Sequence, residues 1–174
     1  MSIQEYISEE KISMRVRELG SQISQDYAGE ELLVICILKG AFIFCADLVR
    51  HIKVPTEVEF MKISTYGNAQ ESSGEFKIEL DLSTEIKGKN VLIVEDIVDT
   101  GFTLKSLMKY LENKNAKTIK LASLLHKPSR SVHEIKINYL GFTIEDQFVI
   151  GHGLDFAGKY RELPYIGVLN EDNC

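Results

Sequence analysis

The stretch Val91–Thr103, with the sequence VLIVEDIVDTGFT, decides how this chain folds. Its first four residues are apolar, which is typical of a strand buried on both faces of a sheet. Two carboxylates and a polar turn follow, and the amphipathic segment from Phe102 to about Asn113 predicts a helix. In open α/β sheets, ligands bind where strands end at their carboxyl side. We therefore expect a ligand site directly after this strand.

The turn Asp99–Thr103 is suited to a phosphate monoester. It offers successive backbone N–H groups and the hydroxyls of Thr100 and Thr103 at a helix N-terminus, where the helix dipole favours an anion. Gly101 lets the main chain come close to the phosphate oxygens. Two carboxylates alone would indicate only a solvated strand end, but the attached turn favours a binding site.

Glu95 and Asp96 need a separate interpretation. Neighbouring strand residues point to opposite faces, so these two are expected to be a poor acid–base pair for one bond. They suit two other tasks, which are hydrogen bonding to a sugar diol and helping to hold a divalent cation. Both tasks are compatible with a phosphate site in the next turn.

Short apolar segments alternate with amphipathic ones along the rest of the chain. This alternation predicts the α/β class, with a mostly parallel sheet flanked by helices. The predicted strands are Leu32–Leu38, Val58–Ser64, Phe76–Leu82, Val91–Val94, Ile119–Leu125, Tyr139–Phe142, Phe148–Ile150 and Tyr165–Leu169, and the predicted helices are Ser8–Tyr27, Gly40–Ile52 and Phe102–Asn113.

Length and composition place limits on the function. The 174 residues predict one domain over residues 1–174, and the net charge of −6 argues against general attraction to nucleic acid or membranes. The N-terminus lacks the pattern of a signal peptide, and no apolar run approaches a membrane span. Three cysteines make a disulfide framework unexpected, and Cys36 and Cys45 are predicted in the core. We expect a cytoplasmic protein.

The segment 66–75 contains two glycines and no large aliphatic side chain, so it predicts an exposed loop. It is either a long hairpin connection or a lid over the site. Neither a P-loop nor a G-x-G-x-x-G fingerprint is present in the sequence. A phosphoacceptor receiver domain is also disfavoured, because the carboxylate pair comes halfway along the chain and Ile135–Gly141 supplies no third aspartate.

Val91–Thr103 resembles the phosphoribosyl-pyrophosphate (PRPP) motif of type I phosphoribosyltransferases. Leu38-Lys-Gly-Ala41 is similar to the pyrophosphate loop of that family. Ser123–Lys127 and Phe148–Asp155, with Tyr160-Arg161, resemble the purine and pyrophosphate elements of its hypoxanthine-guanine branch. Two departures are visible: Thr65-Tyr66 stands where the lid usually has Ser-Tyr, and Phe102 stands where some relatives have lysine.

The resemblance implies a type I phosphoribosyltransferase fold with a small hood built from both termini. It also implies a purine-salvage activity that moves the 5-phosphoribosyl group of PRPP to hypoxanthine, and to guanine, giving IMP or GMP and pyrophosphate. Magnesium is the implied cofactor. The implied assembly is a homodimer or homotetramer, and no nucleic-acid or membrane partner is implied.

The resemblance also assigns roles to particular residues. Asp99 matches the proposed general base, although a simple N-cap or turn aspartate is an alternative. Lys127 is implied to read the purine 6-oxo group, Phe148 to stack on the base and Val149 to bond the base edge through its main chain. The residues implied to bind PRPP are Lys39, Gly40, Thr65, Tyr66, Glu95, Asp96, Asp99, Thr100, Gly101, Phe102, Thr103 and Arg161, and those implied to hold magnesium are Glu95, Asp96 and Asp155.

Other interpretations remain open at this point. The resemblance implies that the peptide at Lys39-Gly40 can be cis, yet a lysine at a strand end is commonly just solvated, and an aromatic such as Phe148 commonly belongs to the core. A nucleic-acid-binding regulator with this fold would need a basic face, and a pyrimidine or adenine enzyme would lack Lys127 and the Phe148–Asp155 element. His126, His133 and His152 receive no role.

Overall fold

The computed structural model describes residues 2–65 and 76–170. The helices are α1 (Glu9–Asp26), α2 (Phe42–His51) and α3 (Phe102–Glu112), with a 3-10 turn at Pro128–Arg130. The strands are β1 (Ser2–Ile7), β2 (Leu32–Leu38), β3 (Thr56–Thr65), β4 (Phe76–Leu80), β5 (Asn90–Val98), β6 (Thr118–His126), β7 (Tyr139–Thr143), β8 (Val149–Ile150) and β9 (Ile166–Asn170).

Six strands form a sheet in the order β4-β3-β2-β5-β6-β7. The pairs from β3 through β7 are parallel, and β4 runs antiparallel to β3. A second sheet has the order β1-β9-β8 and is antiparallel, so the first strand pairs with the last described one. The predicted α/β class, the mostly parallel sheet and the hood from both ends of the chain are confirmed.

Helices cover both faces of the large sheet. On one face, α1 and α2 bury residues such as Leu19 and Phe44 against Val34 and Val94 of the central strands. On the other face, α3 packs its leucines against residues of β2 and β5. Complete burial of such a side chain contributes about 1.5–3 kcal/mol. Cys36 and Cys45 lie in the first of these cores as buried free thiols, as predicted.

The first helix shows how local sequence fixes an element. Ser8 caps it by accepting a hydrogen bond from the Lys11 N–H at 3.3 Å, and Glu9 and Glu10 occupy its first turn. Its buried face consists of Ile12, Val16, Leu19, Gly20 and Ile23. The predicted span of this helix is confirmed to within one residue at each end. Among the described residues, no helix is long and apolar enough to cross a membrane.

Two differences from the predicted elements have clear physical reasons. β1 was not predicted, because Ile7 is its one buried residue and its sequence shows no alternation of apolar and polar positions. β5 continues past Val94 to Val98, since its parallel pairing with β6 extends to Val98 opposite His126. This continuation carries Glu95 and Asp96 on the strand rather than after it.

Candidate active site

A cavity of about 390 Å³ opens at the carboxyl ends of the central parallel strands. Most of the residues predicted to bind phosphate or metal line it together, although they come from three separate parts of the sequence. These predicted residues are Lys39, Gly40, Glu95, Asp96, Asp99, Thr100, Gly101, Thr103, Asp155 and Arg161. The topology therefore brings the candidate site together where the strand pattern indicated.

The phosphate turn has the geometry of a cradle before a helix. Gly101 has a φ of 83°, and α3 begins at the next residue. A β-carbon at Gly101 would lie 2.8 Å from the carbonyl oxygen of His133, so glycine is needed both for its φ and for the space. The Thr100 carbonyl accepts hydrogen bonds from the N–H groups of Val132 and His133, at 3.0 and 3.1 Å.

Glu95 and Asp96 are adjacent residues of β5, and both line the cavity. That their side chains point to opposite faces of the strand stays a prediction. Loss of solvent raises the pKa of the Glu95 carboxyl well above its usual range, and the neighbouring Asp96 carboxylate adds to this rise. The Asp96 carboxylate accepts a hydrogen bond from the Ile97 N–H at 2.8 Å, and the Glu95 carboxylate accepts one from the Asp96 N–H at 3.2 Å.

The loop after β2 brings backbone against these carboxylates. A cis peptide bond joins Leu38 and Lys39, one bond before the expected position. Gly40 lies so close to Asp96 that a β-carbon would overlap its carboxylate. Lys39 is exposed and lines the same cavity. The absence of a side chain at Gly40 thus allows the main chain of this loop to approach the Asp96 carboxylate closely.

Asp155 and Arg161 form an ion pair at the rim. Arg161 Nη2 lies 2.7 Å from Asp155 Oδ1, and Arg161 Nη1 donates to the Gly153 carbonyl at 2.6 Å. The other Asp155 oxygen accepts a hydrogen bond from the Gly158 N–H at 2.7 Å. Both oxygens of Asp155 therefore have protein partners, and a role as a metal ligand stays a prediction.

The residues predicted to bind the purine do not line this cavity. Lys127 has a side chain that is 9 % exposed, and its Nζ lies 3.6 Å from Asp146 Oδ1. Phe148 is 54 % exposed and packs edge-to-face on Phe156, while Val149 is buried and pairs with Val168. Their roles as purine contacts remain predictions.

Three predicted residues remain to be placed: Phe102, Thr65 and Tyr66. The Phe102 ring stacks edge-to-face on His133 with centroids 4.5 Å apart, away from the cavity lining. Thr65 is the last residue of β3, opposite Phe76. Tyr66 and the whole predicted lid segment 66–75 lie outside the described residues.

Sequence reasoning missed two charged residues next to the site, Arg130 and Asp146. Arg130 Nε lies 2.8 Å from Asp99 Oδ1, and Asp146 lies close to both Arg130 and Lys127. A weak signal was available, because Arg130 follows Lys127 across a Pro-Ser turn and Asp146 stands two residues before Phe148. Only the fold shows that these residues meet.

The described residues contain no cluster of three or more histidine, cysteine, aspartate or glutamate side chains arranged to hold a metal ion. Magnesium, however, is commonly held by one or two carboxylates together with substrate oxygens and water. Glu95 and Asp96, which both line the cavity, fit this mode of binding.

Comparison with known proteins gives a consistent result. Residues 2–157 match the family model of the phosphoribosyl transferase domain. The chain is 48% identical over 163 residues to the hypoxanthine-guanine phosphoribosyltransferase of Bacillus subtilis (94% of this chain, 91% of that protein) and 49% identical over 176 residues to that of Dictyostelium discoideum (99% and 98%). The crystal structure of a Bacillus anthracis hypoxanthine-guanine phosphoribosyltransferase superposes with a TM-score of 0.94 at 44% identity, covering 97% of this chain and 100% of that one.

Proposed function

This chain belongs to the phosphoribosyl transferase family, and on that premise we propose that it transfers the 5-phosphoribosyl group of PRPP to hypoxanthine and to guanine. The products are IMP or GMP and pyrophosphate, which is a purine-salvage reaction. The observation that carries the proposal is the single cavity that joins the phosphate turn, the acid pair and the Asp155–Arg161 pair. Relatives named for this activity align over nearly the whole chain.

The 5-phosphate of PRPP binds the turn Asp99–Thr103. Its oxygens accept bonds from backbone N–H groups and from the hydroxyls of Thr100 and Thr103, while the N-terminus of α3 favours the negative charge. Phe102 contributes through its main chain, because its ring is directed onto His133. This assignment is supported by the left-handed backbone of Gly101, at which the turn leads directly into α3.

Glu95 and Asp96 would hold the ribose and a magnesium ion. Bound there, magnesium would neutralise the charge that develops on the leaving pyrophosphate. The two carboxylates would orient the ribose diol, and a bound cation would offset the repulsion by which the Asp96 charge helps to raise the pKa of the Glu95 carboxyl. Asp155 remains a proposed ligand for a second ion.

The pyrophosphate group is recognised by Lys39, Gly40 and Arg161. Lys39 is exposed at the cavity, and Gly40 offers main chain without a side chain. Asp155 and the Gly153 carbonyl hold the Arg161 guanidinium in place, which reduces the entropy lost when it binds the anion. Thr65 and Tyr66 are proposed to bind PRPP as well.

The purine is read by Lys127, Phe148 and Val149. The Lys127 ammonium only donates hydrogen bonds, so it matches a 6-oxo acceptor and opposes the 6-amino group of adenine. Its low exposure makes an unpaired contact costly, by about 1–3 kcal/mol. Asp99 accepts or shares the proton on the purine ring. Another nitrogen of the ring attacks the anomeric carbon of PRPP, pyrophosphate leaves, and the configuration at that carbon is inverted.

We also propose a cytoplasmic homodimer or homotetramer. Two buried free thiols suit a reducing compartment. Phe42, Val58 and Phe60 are large apolar side chains that are each more than one-third exposed, as surfaces between subunits are. Light scattering after size exclusion measures the mass, and a monomer at assay concentrations would contradict this part.

The test is a substrate panel under one condition. Purified protein, PRPP and magnesium are mixed with hypoxanthine, guanine, xanthine, adenine or orotate, and nucleotide formation is followed spectrophotometrically. We expect turnover with hypoxanthine and guanine and rejection of adenine by tenfold or far more. Preferred use of adenine or orotate would instead support an adenine or pyrimidine enzyme.

A further inference from the structure

Four charged side chains form a continuous line beside the active-site cavity, and two of them have no role in the function proposed above. The line runs from Asp99 through Arg130 and Asp146 to Lys127, and we name it the charge cluster. Its two acids and two bases balance in formal charge. Its ends are the proposed proton acceptor and the proposed reader of the purine 6-position.

The spacing inside the charge cluster is short. Arg130 Nε lies 2.8 Å from Asp99 Oδ1, and Arg130 Nη1 lies 3.5 Å from Asp146 Oδ1. The same Asp146 oxygen lies 3.6 Å from Lys127 Nζ. Asp146 therefore bridges the two bases, and Arg130 bridges the two acids.

The contact with Arg130 distinguishes the two oxygens of Asp99. Oδ1 is covered from solvent and has no aligned hydrogen-bond donor, so the guanidinium holds it as an ion pair. The Asp99 side chain is nevertheless 38 % exposed and lines the cavity. Oδ2 is therefore the carboxylate oxygen that faces the cavity, and it is left to accept a proton from a substrate.

Asp146 acts on the other end of the cluster. It lies on the loop between β7 and β8, two residues before Phe148. Lys127 is largely enclosed, and a flexible lysine can direct its ammonium in many ways. A carboxylate on the same loop as the proposed stacking residue fixes that ammonium relative to the purine plane.

The segment that carries Arg130 is also attached to the phosphate turn. The Ser131 hydroxyl donates to the Asp99 carbonyl at 3.4 Å, and the N–H groups of Val132 and His133 donate to the Thr100 carbonyl. The Lys127 N–H donates to the Val98 carbonyl at 2.9 Å. Purine-side and phosphate-side elements are thus joined along their backbones, and the charge cluster extends this connection to the side chains.

Stability alone does not account for this arrangement. Arg130 and Asp146 have side chains that are 44 % and 50 % exposed, and exposed ion pairs contribute only about 0–1 kcal/mol. The charge cluster can matter more for orientation, because a small displacement of an acid–base group lowers the rate of catalysis far more than it lowers the stability of the fold.

We propose that Arg130 is a positioning residue for Asp99 and that Asp146 is a positioning residue for Lys127, so that the charge cluster couples recognition of the base to proton acceptance. This inference rests on the proposed transfer to a 6-oxopurine. Arg130 holds Asp99 Oδ1 and leaves Oδ2 to the substrate, and Asp146 directs the Lys127 ammonium toward the 6-oxo group.

The experiment compares Arg130→Gln and Asp146→Asn with the native protein, using hypoxanthine and PRPP. Arg130→Gln is expected to lower kcat by about tenfold or more while KM for PRPP changes by less than about twofold. Asp146→Asn is expected to raise KM for hypoxanthine by about fivefold or more with a smaller change in kcat. Arg50→Gln is the matched control, since Arg50 forms a surface ion pair with Asp47 outside this cavity and should behave as native.

A double-mutant cycle separates positioning from a general structural effect. If Arg130 acts through Asp99, then adding Arg130→Gln to Asp99→Asn should lower kcat by less than about a further threefold. Arg130→Lys keeps the positive charge and should recover part of the lost kcat. If thermal melting shows that Arg130→Gln does not fold, Arg130→Lys takes its place in the comparison. Independent, multiplicative losses or native kinetics in both variants would overturn the inference.

The outcome for the native protein keeps the two proposals apart. Failure of native protein to use any 6-oxopurine would overturn the proposed function itself. Native turnover together with unaffected Arg130 and Asp146 variants would overturn the charge-cluster inference alone.

Discussion

Gly153 packs against the Gly40 carbonyl oxygen so closely that a β-carbon at position 153 would lie 2.1 Å from that oxygen. The Gly153 carbonyl in turn accepts a hydrogen bond from Arg161 Nη1 at 2.6 Å. One residue without a side chain therefore connects the loop after β2 to the rim arginine. Both Gly40, on that loop, and Arg161 are proposed to bind pyrophosphate.

This contact predicts the effect of Gly153→Ala. The added methyl group must displace Gly40. The backbone φ of 102° at position 153 is also unfavourable for alanine. We expect KM for PRPP to rise by about tenfold or more, with a loss of about 1–3 kcal/mol in the free energy of unfolding. Steady-state kinetics and urea unfolding measure both quantities.

Gly88→Ala is the matched control for that change. Gly88 also has a positive φ, of 73°, but an added β-carbon would meet nothing within 4 Å. It should lose stability without changing KM for PRPP. Equal KM values for native protein and Gly153→Ala would show that the close approach has no part in PRPP binding.

Asp99→Asn tests the proposed proton acceptor. The substitution keeps the size of the side chain and removes its negative charge, so turnover with hypoxanthine should fall by about 10- to 1000-fold. The dissociation constant for PRPP should change little, because the phosphate turn binds through backbone and hydroxyl groups. Unchanged single-turnover rates, with chemistry limiting, would exclude the acceptor role.

Lys127→Ala tests the choice of purine. Loss of the enclosed ammonium should remove most hypoxanthine activity while binding of PRPP, measured by calorimetry, stays within about twofold. The ratio of hypoxanthine to adenine activity should fall as well. A variant that keeps the full native preference for hypoxanthine would show that another group reads the 6-position.

His152 predicts how stability depends on pH. Burial lowers the pKa of its imidazole below the ordinary value of 6.5, and the nearby Asp47 charge only partly opposes this. The unfolded chain therefore binds a proton more readily than the folded chain once the pH falls through about 6.5. The contribution of His152 to stability is present above that pH and is lost as the pH falls further, toward the folded pKa.

Urea unfolding of native protein and His152→Asn at pH 7.5 and 5.5 measures this effect. Asparagine tolerates the positive φ of 47° at this position, so the variant should fold. The native protein should lose more unfolding free energy between the two pH values than the variant does. An identical pH dependence in both proteins would contradict the assignment to His152.

The sequence predicted the elements whose burial is complete, and it missed features that depend on distant contacts. β2 was predicted with its observed bounds because Leu32–Leu38 is continuously apolar between two parallel neighbours. β1 was missed because a strand with one buried residue carries no periodic signal. The continuation of β5 to Val98 was missed because Glu95 and Asp96 interrupt its apolar run, and the pairing with β6 that extends the strand is a long-range contact.

In the candidate site, too, the features formed by consecutive residues could be predicted, and those that depend on distant contacts could not. The phosphate turn could be recognised from Asp99–Thr103 because all its donors are consecutive in sequence. The pairing of Arg130 with Asp99 joins residues 31 positions apart, through the parallel pairing of β5 and β6, and no local pattern records it. Long-range charge pairs of this kind become visible only when the fold is known.

Product stoichiometry most directly tests the proposed transfer between two substrates in one cavity. Native protein is incubated with equal amounts of PRPP and hypoxanthine in magnesium buffer, and IMP and pyrophosphate are quantified together over time. We expect equal amounts of IMP and pyrophosphate, and no turnover when hypoxanthine is omitted. Absence of IMP, or release of pyrophosphate without nucleotide formation, would contradict it.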